Sequence, residues 1–271
     1  MGLRHGTRDG WLTVTVAGHF GEWLQGLFGP EHVVALVTLP CPALAVRSRP
    51  DRPADPPFAP DRLAAFGRAL DLPPPPWPGL DCAMPPGAGA GASTAMLVAL
   101  ARAGGTQATP DALARACLAV EGASDPLMLE APDGVLWASR AARVLTRLPP
   151  PPPLRIVGGF WGAPAPTDPA DTGFPPIDDL VPGWQAACET RDRARCAALA
   201  SQSAMRCTAL RGPADPMAEL ARATGALGHV RAHTGSARGL VLPPEQEDGP
   251  ARTALAEAGL TGILSFVTGA A

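Results

Sequence analysis

The chain has 271 residues, enough for one large domain or two modest ones around a sizeable buried core. Its 30 glycines and 34 prolines approach a low-complexity composition, but 46% hydrophobic residues supply the apolar surface of a packed fold. A net charge of -3 with 17% charged residues offers no basic face to follow a phosphate backbone, so no nucleic-acid partner is expected. In chain order, Trp11 to Val16 alternates β-branched residues and predicts a strand, followed by a glycine-bearing turn and a second strand over His32 to Leu39. Asp61 to Leu70 and Ser93 to Ala103 have helical spacing. Thr109 and Pro110 mark the start of a further helix, as N-cap and first helical residue, running to about Val120. The proline runs Pro73 to Pro78 and Pro149 to Pro153 read as stiff connections, and the second marks a domain boundary. Beyond it lie an apolar run over Leu154 to Phe160, helical spacing over Trp184 to Ser203, Asp215 to His233 and Ala251 to Ala258, and a last strand over Gly262 to Val267. Strands and helices mix without a regular alternation, which predicts an α+β fold.

No continuous apolar run opens the chain, and no stretch reaches the roughly 18 apolar residues of a membrane span, so a cytoplasmic protein with no membrane partner is expected. Cys41, Cys82, Cys117, Cys188, Cys196 and Cys207 are scattered without a C-x-x-C pair and read as free thiols. All 22 basic residues are arginine. Chemistry that needs a lysine is thereby excluded, including the phosphate loop G-x-x-x-x-G-K-S/T.

The most informative segment runs from Met84 to Ala95: Pro85, Pro86, Gly87, Ala88, Gly89, Ala90, Gly91, Ala92, Ser93 and Thr94 lead into an apolar helix. Residues this small let a backbone approach a ligand, and the helix start turns free N–H groups and partial positive charge toward an anion, phosphate above all. Ser93 and Thr94 could add a hydroxyl to a phosphate oxygen or to its Mg²⁺. The same residues also fit a tight turn with a glycine-lined helix contact. They fit, too, the dinucleotide fingerprint G-x-G-x-x-G/A, with Asp111 as its acid.

The segment Pro85-x-x-x-Gly89-Ala90-Gly91-Ala92-Ser93-Thr94-Ala95 resembles the phosphate loop of the GHMP kinase superfamily, P-x-x-x-G-L/M-G/A-S-S-A/T-A. Two further segments agree in order. Gly18-His19-Phe20-Gly21-Glu22-Trp23-Leu24-Gln25-Gly26 resembles the G-E-L-x-Q-G segment of the L-threonine kinases of cobalamin biosynthesis, relatives of propanediol-utilisation proteins. Ala232-His233-Thr234-Gly235-Ser236-Ala237-Arg238-Gly239-Leu240 resembles their A-H-S-G-S-x-x-G-L segment. Ala92 stands where the family has its first loop serine, and Met96 where the threonine kinases often have an acid.

The resemblance implies a GHMP kinase fold, with an N-terminal domain over 1–150 like the second domain of ribosomal protein S5 and a ferredoxin-like C-terminal domain over 151–271. It implies an ATP-dependent, Mg²⁺-assisted kinase that phosphorylates the side-chain hydroxyl of L-threonine. Another hydroxylated metabolite such as homoserine is an alternative acceptor, and a catalytically inactive nucleotide-binding regulator of the same fold is an alternative function. Phosphoryl transfer needs an acid beside the acceptor hydroxyl. Val120 to Pro126 resembles the family's short acidic segment, with Asp125 as base or orienter of the hydroxyl and Glu121, with Ser93, as Mg²⁺ ligand; solvated acids at a helix end are the bland alternative. Glu22 would bind a substrate ammonium and Gln25 its carboxylate, with Thr234, Gly235 and Ser236 as hydroxyl and N–H donors and Arg238 as a nearby cation. His19 reads as packing or loop support. His229 and His233 are spaced as a helical metal pair, but a third ligand is not evident. Nothing in the sequence sets the oligomeric state, and a homodimer stays open.

Overall fold

A computed structural model of the chain describes residues 10–164, 168–232 and 234–269. The first strand, β1 (Thr15–Phe28), runs through the glycine cluster that reads as a turn. Its pairing with β2 (Val33–Pro53) shifts register at Ala17/Gly18, His19/Glu22 and Glu22/Leu24, so the glycines form bulges within a strand rather than a reversal. Glu22 therefore lies inside a strand and not in a turn. The chain reverses only at residues 29–32, with Gly29 and His32 at positive φ.

Next come α1 (Pro60–Ala69), β3 (Pro78–Cys82), α2 (Ala92–Ala103) and α3 (Pro110–Glu121). All three helices match their sequence patterns, and Thr109 caps α3 by accepting from Ala112 N at 3.3 Å. The hairpin β4 (Val135–Ala138) and β5 (Arg143–Arg147) follows, and the second proline run then leads into β6 (Arg155–Phe160).

The single helix expected over Trp184 to Ser203 is two helices, α4 (Leu180–Glu189) and α5 (Arg193–Arg211). Arg191 takes a positive φ of 53° between them, and Asp192 caps α5 by accepting from Arg195 N at 2.9 Å. The helical reading of Asp215 to His233 also fails. α6 (Met217–Thr224) ends at the left-handed Gly225, after which β7 (Gly228–Arg231) and β8 (Ala237–Leu242) form a hairpin. His229 is thus on a strand, where a four-residue spacing makes no helical face, and His233 lies outside the described residues. The chain closes with α7 (Gly249–Glu257) and β9 (Thr261–Val267).

The strands form one mixed-order, antiparallel sheet, β5-β4-β2-β1-β7-β8-β6-β9, with β3 paired to β2. β1 joins the early strands to the late ones through the pair Glu22 and Arg231. The main core packs α2, α4 and α5 on the sheet; Trp23 of β1 meets Trp184 of α4 with ring centroids 5.5 Å apart. Leu97, Val98 and Leu100 of α2 are wholly buried, each contributing on the order of 2 kcal/mol to the helix's attachment. A smaller core holds α6 and α7 through Met217, Leu240 and Leu255. All six cysteines are free thiols. No described helix is long and apolar enough to cross a membrane.

Candidate active site

The loop between β3 and α2 takes its shape from three left-handed glycines, Gly87, Gly89 and Gly91, with φ of 69°, 71° and 69°. Such alternation with L-residues curls a backbone into an anion-binding concavity. No side chain caps α2, so its N-terminal N–H groups and dipole face the cleft. The loop's carbonyls are occupied elsewhere. Ala90 O accepts from His19 N at 3.0 Å, Gly89 O from Gly21 N at 3.3 Å, and Ala88 O from Ser236 N and Ala237 N at 3.1 and 3.0 Å. A Cβ on Gly89 would overlap the Thr234 carbonyl, and one on Gly91 would come within 2.5 Å of His19 Cδ2. The three sequence motifs are therefore in direct contact, the first and third gripping the oxygen side of the second.

Two acids meet the start of α2. Glu121, the last residue of α3, accepts from Ser93 Oγ through Oε2 and from Thr94 Oγ1 through Oε1 at 2.7 Å. Thr94 Oγ1 in turn accepts from Asp125 N at 3.3 Å. Glu121 keeps one side toward the cleft, but burial of its carboxyl raises its pKa from 4.5 to about 8, against the Ser93 and Thr94 hydrogen bonds and with help from the Asp125 charge. Asp125 Oδ2 lies 3.1 Å from Nε2 of His19, which is buried. Burial lowers the His19 pKa, and the Asp125 charge and hydrogen bond, the Glu22 charge and the Gly21 backbone outweigh it, leaving it raised above 6.5. His19 is more than packing: it holds the acid. Its position inside the first motif is the one sequence signal for that role.

These groups line one cleft of about 340 Å³, together with Glu22, Gln25, Ser139, Arg140 and Thr234. Glu22 and Gln25 are buried on β1, and Gln25 N donates to Ser203 Oγ at 3.1 Å. Of the third motif, Thr234 reaches the cleft, whereas Gly235 and Ser236 sit behind the loop. Arg238 is not a cation facing the cleft. It is buried, donates to Asp215 Oδ2 at 2.8 Å, and donates to the carbonyls of Gly235 and Ala237. Ser139 and Arg140 belong to none of the sequence motifs, since an arginine among alanines carries no local pattern.

The dinucleotide reading fails on topology. α3 follows α2 with no strand between them, and Asp111 is exposed in the first turn of α3 rather than at a strand end. Among the described residues no group of three or more His, Cys, Asp or Glu could hold a metal. The Ser93 hydroxyl and Glu121 carboxylate are hard oxygen donors of the kind Mg²⁺ takes while keeping phosphate and water ligands, so the residues present fit that ion bound together with a nucleotide.

The fold is that of the GHMP kinases. The Streptococcus pneumoniae phosphomevalonate kinase superposes with a TM-score of 0.64 at 12% identity, covering 95% of this chain and 98% of that one. A homoserine kinase from Cytophaga hutchinsonii gives 0.56 at 15% identity, covering 98% and 96%. A protein designated MDDEF, in complex with MVAPP, AMPPCP and magnesium, gives 0.56 at 11% identity over 94% and 97%. No protein-family model matches the sequence, and no curated protein matches it.

Proposed function

We propose that the chain is an ATP-dependent small-molecule kinase whose acceptor is the side-chain hydroxyl of L-threonine, giving L-threonine O-3-phosphate for cobalamin assembly. The observation that carries this reading is the convergence of the glycine loop, Asp125 and the β1 residues Glu22 and Gln25 on one cleft. The loop N–H groups and the start of α2 would hold the triphosphate, and the mostly apolar cleft beside it, along Pro56, Leu80, Met84, Pro86 and Met96, suits the base. ATP and Mg²⁺ fit the same residues, and one neighbour of this fold is in complex with AMPPCP and magnesium. Magnesium bound beside Ser93 and Glu121 would neutralise charge on the phosphates.

Asp125 is the base of this reading. Its carboxylate accepts the proton of the acceptor hydroxyl while that oxygen bonds to the γ-phosphorus and the bond from phosphorus to the ADP oxygen breaks. His19 keeps Oδ2 engaged at 3.1 Å and so orients the carboxylate. The two parts of the chain, 1–150 and 151–271, would each contribute: the first the loop and acids, the second the hairpin β7–β8 that holds the loop. Homoserine is the second acceptor to test, because a homoserine kinase shares the fold.

ADP release from ATP and Mg²⁺ with a panel of hydroxylated compounds tests the proposal. Threonine-dependent release supports it, and release with homoserine selects the alternative acceptor. Nucleotide binding without release for any acceptor overturns the kinase reading in favour of an inactive regulator.

A further inference from the structure

Among the described residues, eight buried side-chain polar atoms have no hydrogen-bond partner. Three of them, Gln25 Oε1, Ser139 Oγ and Arg140 Nε, belong to residues that line the candidate active-site cleft. Buried polar groups in native proteins are almost always satisfied, so a concentration of orphans around one cavity points to a polar ligand. Their chemistry is divided. Arg140 Nε and Ser139 Oγ can donate; Gln25 Oε1 accepts, and the Glu22 carboxylate lines the same cleft.

Arg140 is the only described arginine lining this cleft, and the chain has no lysine. It makes no ion pair among the described residues. Its one hydrogen bond to a described residue runs from Nη2 to the Asp168 carbonyl at 3.1 Å. Burial lowers its pKa, against the more distant charges of Asp125, Asp171 and Asp168. A cation held in a half-buried wall without a carboxylate partner is a seat for an anion.

The location of that seat is fixed by the backbone. Ala138 at the end of β4 pairs with Ala35 of β2, and Ser139 N donates to Val34 O at 3.3 Å. Ser139 O accepts from Ser124 N at 2.9 Å, and the Trp137 indole donates to Ser124 O at 2.6 Å. The turn bearing Ser139 and Arg140 is thus stitched to the residue preceding Asp125. The anion seat lies beside the acid, whereas the glycine loop supplies a separate anion seat at the start of α2.

We propose that Arg140 and Ser139 form a carboxylate subsite, which together with the acceptor oxygens of Gln25 and Glu22 selects a zwitterionic hydroxy amino acid over a neutral or purely cationic alcohol. The proposal rests on the kinase reading only in naming the ligand as the acceptor; the anion seat itself is a property of the wall.

The test is calorimetric titration of the full chain with L-threonine, L-homoserine and isopropanolamine, which is threonine with its carboxylate removed. AMPPCP with Mg²⁺ and inorganic phosphate are titrated separately. Wild type is expected to bind an amino acid at least about tenfold more tightly than the amino alcohol, and Arg140→Met to remove that preference. Affinity for AMPPCP should stay within about twofold, and Arg140→Lys should recover part of the preference, since it restores charge without the planar fork. Thermal denaturation checks that each variant folds, and Ser139→Ala carries the comparison if Arg140→Met does not. Loss of AMPPCP or phosphate binding with amino-acid binding intact would assign the seat to phosphate and overturn the proposal, as would a wild type that does not distinguish the two acceptors. ADP release measured on the same samples separates the two ideas: Arg140-dependent carboxylate binding without turnover keeps the subsite and removes the kinase, and turnover of a carboxylate-free acceptor independent of Arg140 does the reverse.

Discussion

Replacing Glu121 with glutamine changes the charge of the loop's support and little else. The amide can accept from one of the Ser93 and Thr94 hydroxyls and donate to the other, because a hydroxyl serves as either. In the unfolded chain the Glu121 carboxyl ionises near 4.5, whereas in the folded chain burial keeps it protonated up to about 8. Between those values the native state binds more protons than the unfolded state, so the stability contributed at this position falls as pH rises and levels off above about 8. At about 1.4 kcal/mol per pH unit, the ceiling on that loss is roughly 5 kcal/mol. The carboxyl touches the cleft, and solvent there reduces the expected loss to about 1–3 kcal/mol. Urea denaturation of both proteins at about pH 5, 7 and 9 reads it out. Glu121→Gln is expected to match wild type at the lowest pH and to exceed it increasingly at the higher ones. With AMPPCP and Mg²⁺ the proposed magnesium position predicts the reverse order, since a bound ion would favour the carboxylate, and wild-type affinity should then rise with pH while that of the variant stays flat. A stability difference that does not change with pH would refute the argument, because it would mean that the carboxylate ionises without penalty between α2 and α3.

Three other perturbations have definite outcomes. Asp125→Asn is expected to lower kcat by about 10²- to 10⁴-fold while the thermal midpoint moves little, since the side chain borders the cleft; turnover near wild type removes it from the mechanism. Gly89→Ala combines a φ of 71° with a Cβ aimed at the Thr234 carbonyl, and should cost about 2–4 kcal/mol of stability and weaken AMPPCP binding, so an unchanged denaturation midpoint contradicts the close packing of loop on hairpin. Asp215→Ala strips Arg238 of its buried carboxylate at 2.8 Å and is expected to destabilise by about 3–5 kcal/mol in urea; a loss below about 1 kcal/mol would show the pair to be solvated.

The parts of this protein legible from sequence are those whose chemistry is carried by neighbouring residues. The glycine loop, the Thr109 cap and the closely spaced acids at 121 and 125 are each recognisable within a few positions, and the structure forms the cap and gathers the loop and the acids at one cleft. What escaped depends on partners far along the chain. The glycines of β1 look like a turn until β2 and β7 lie on either side and convert them to bulges. The break between α4 and α5 turns on a positive φ at Arg191, a residue type with no preference for that conformation, and β7 and β8 are buried at every position, so neither shows a period of two. His19 is signalled only by its place in the first motif and Arg140 by nothing local: the first acquires its role from an acid 106 positions away, the second from a cavity.

The third motif shows how a sequence pattern near a ligand need not be a set of ligand contacts. Ser236 and Ala237 spend their N–H groups on the Ala88 carbonyl, and the close approach of Gly235 to Gly89 leaves no room for a side chain. Arg238 then ties the Gly235 carbonyl to the buried Asp215. Small residues are required here because two backbones touch, and the arginine because the turn's carbonyl must be held. The hairpin β7–β8 bears on the cleft through the loop it positions, with Thr234 as its one described contribution to the cleft wall. Substitutions at Gly235, Ser236 and Arg238 therefore belong, by this geometry, with those that displace the glycine loop, and changes in Glu22, Gln25 and Arg140 with those that alter what the cleft admits.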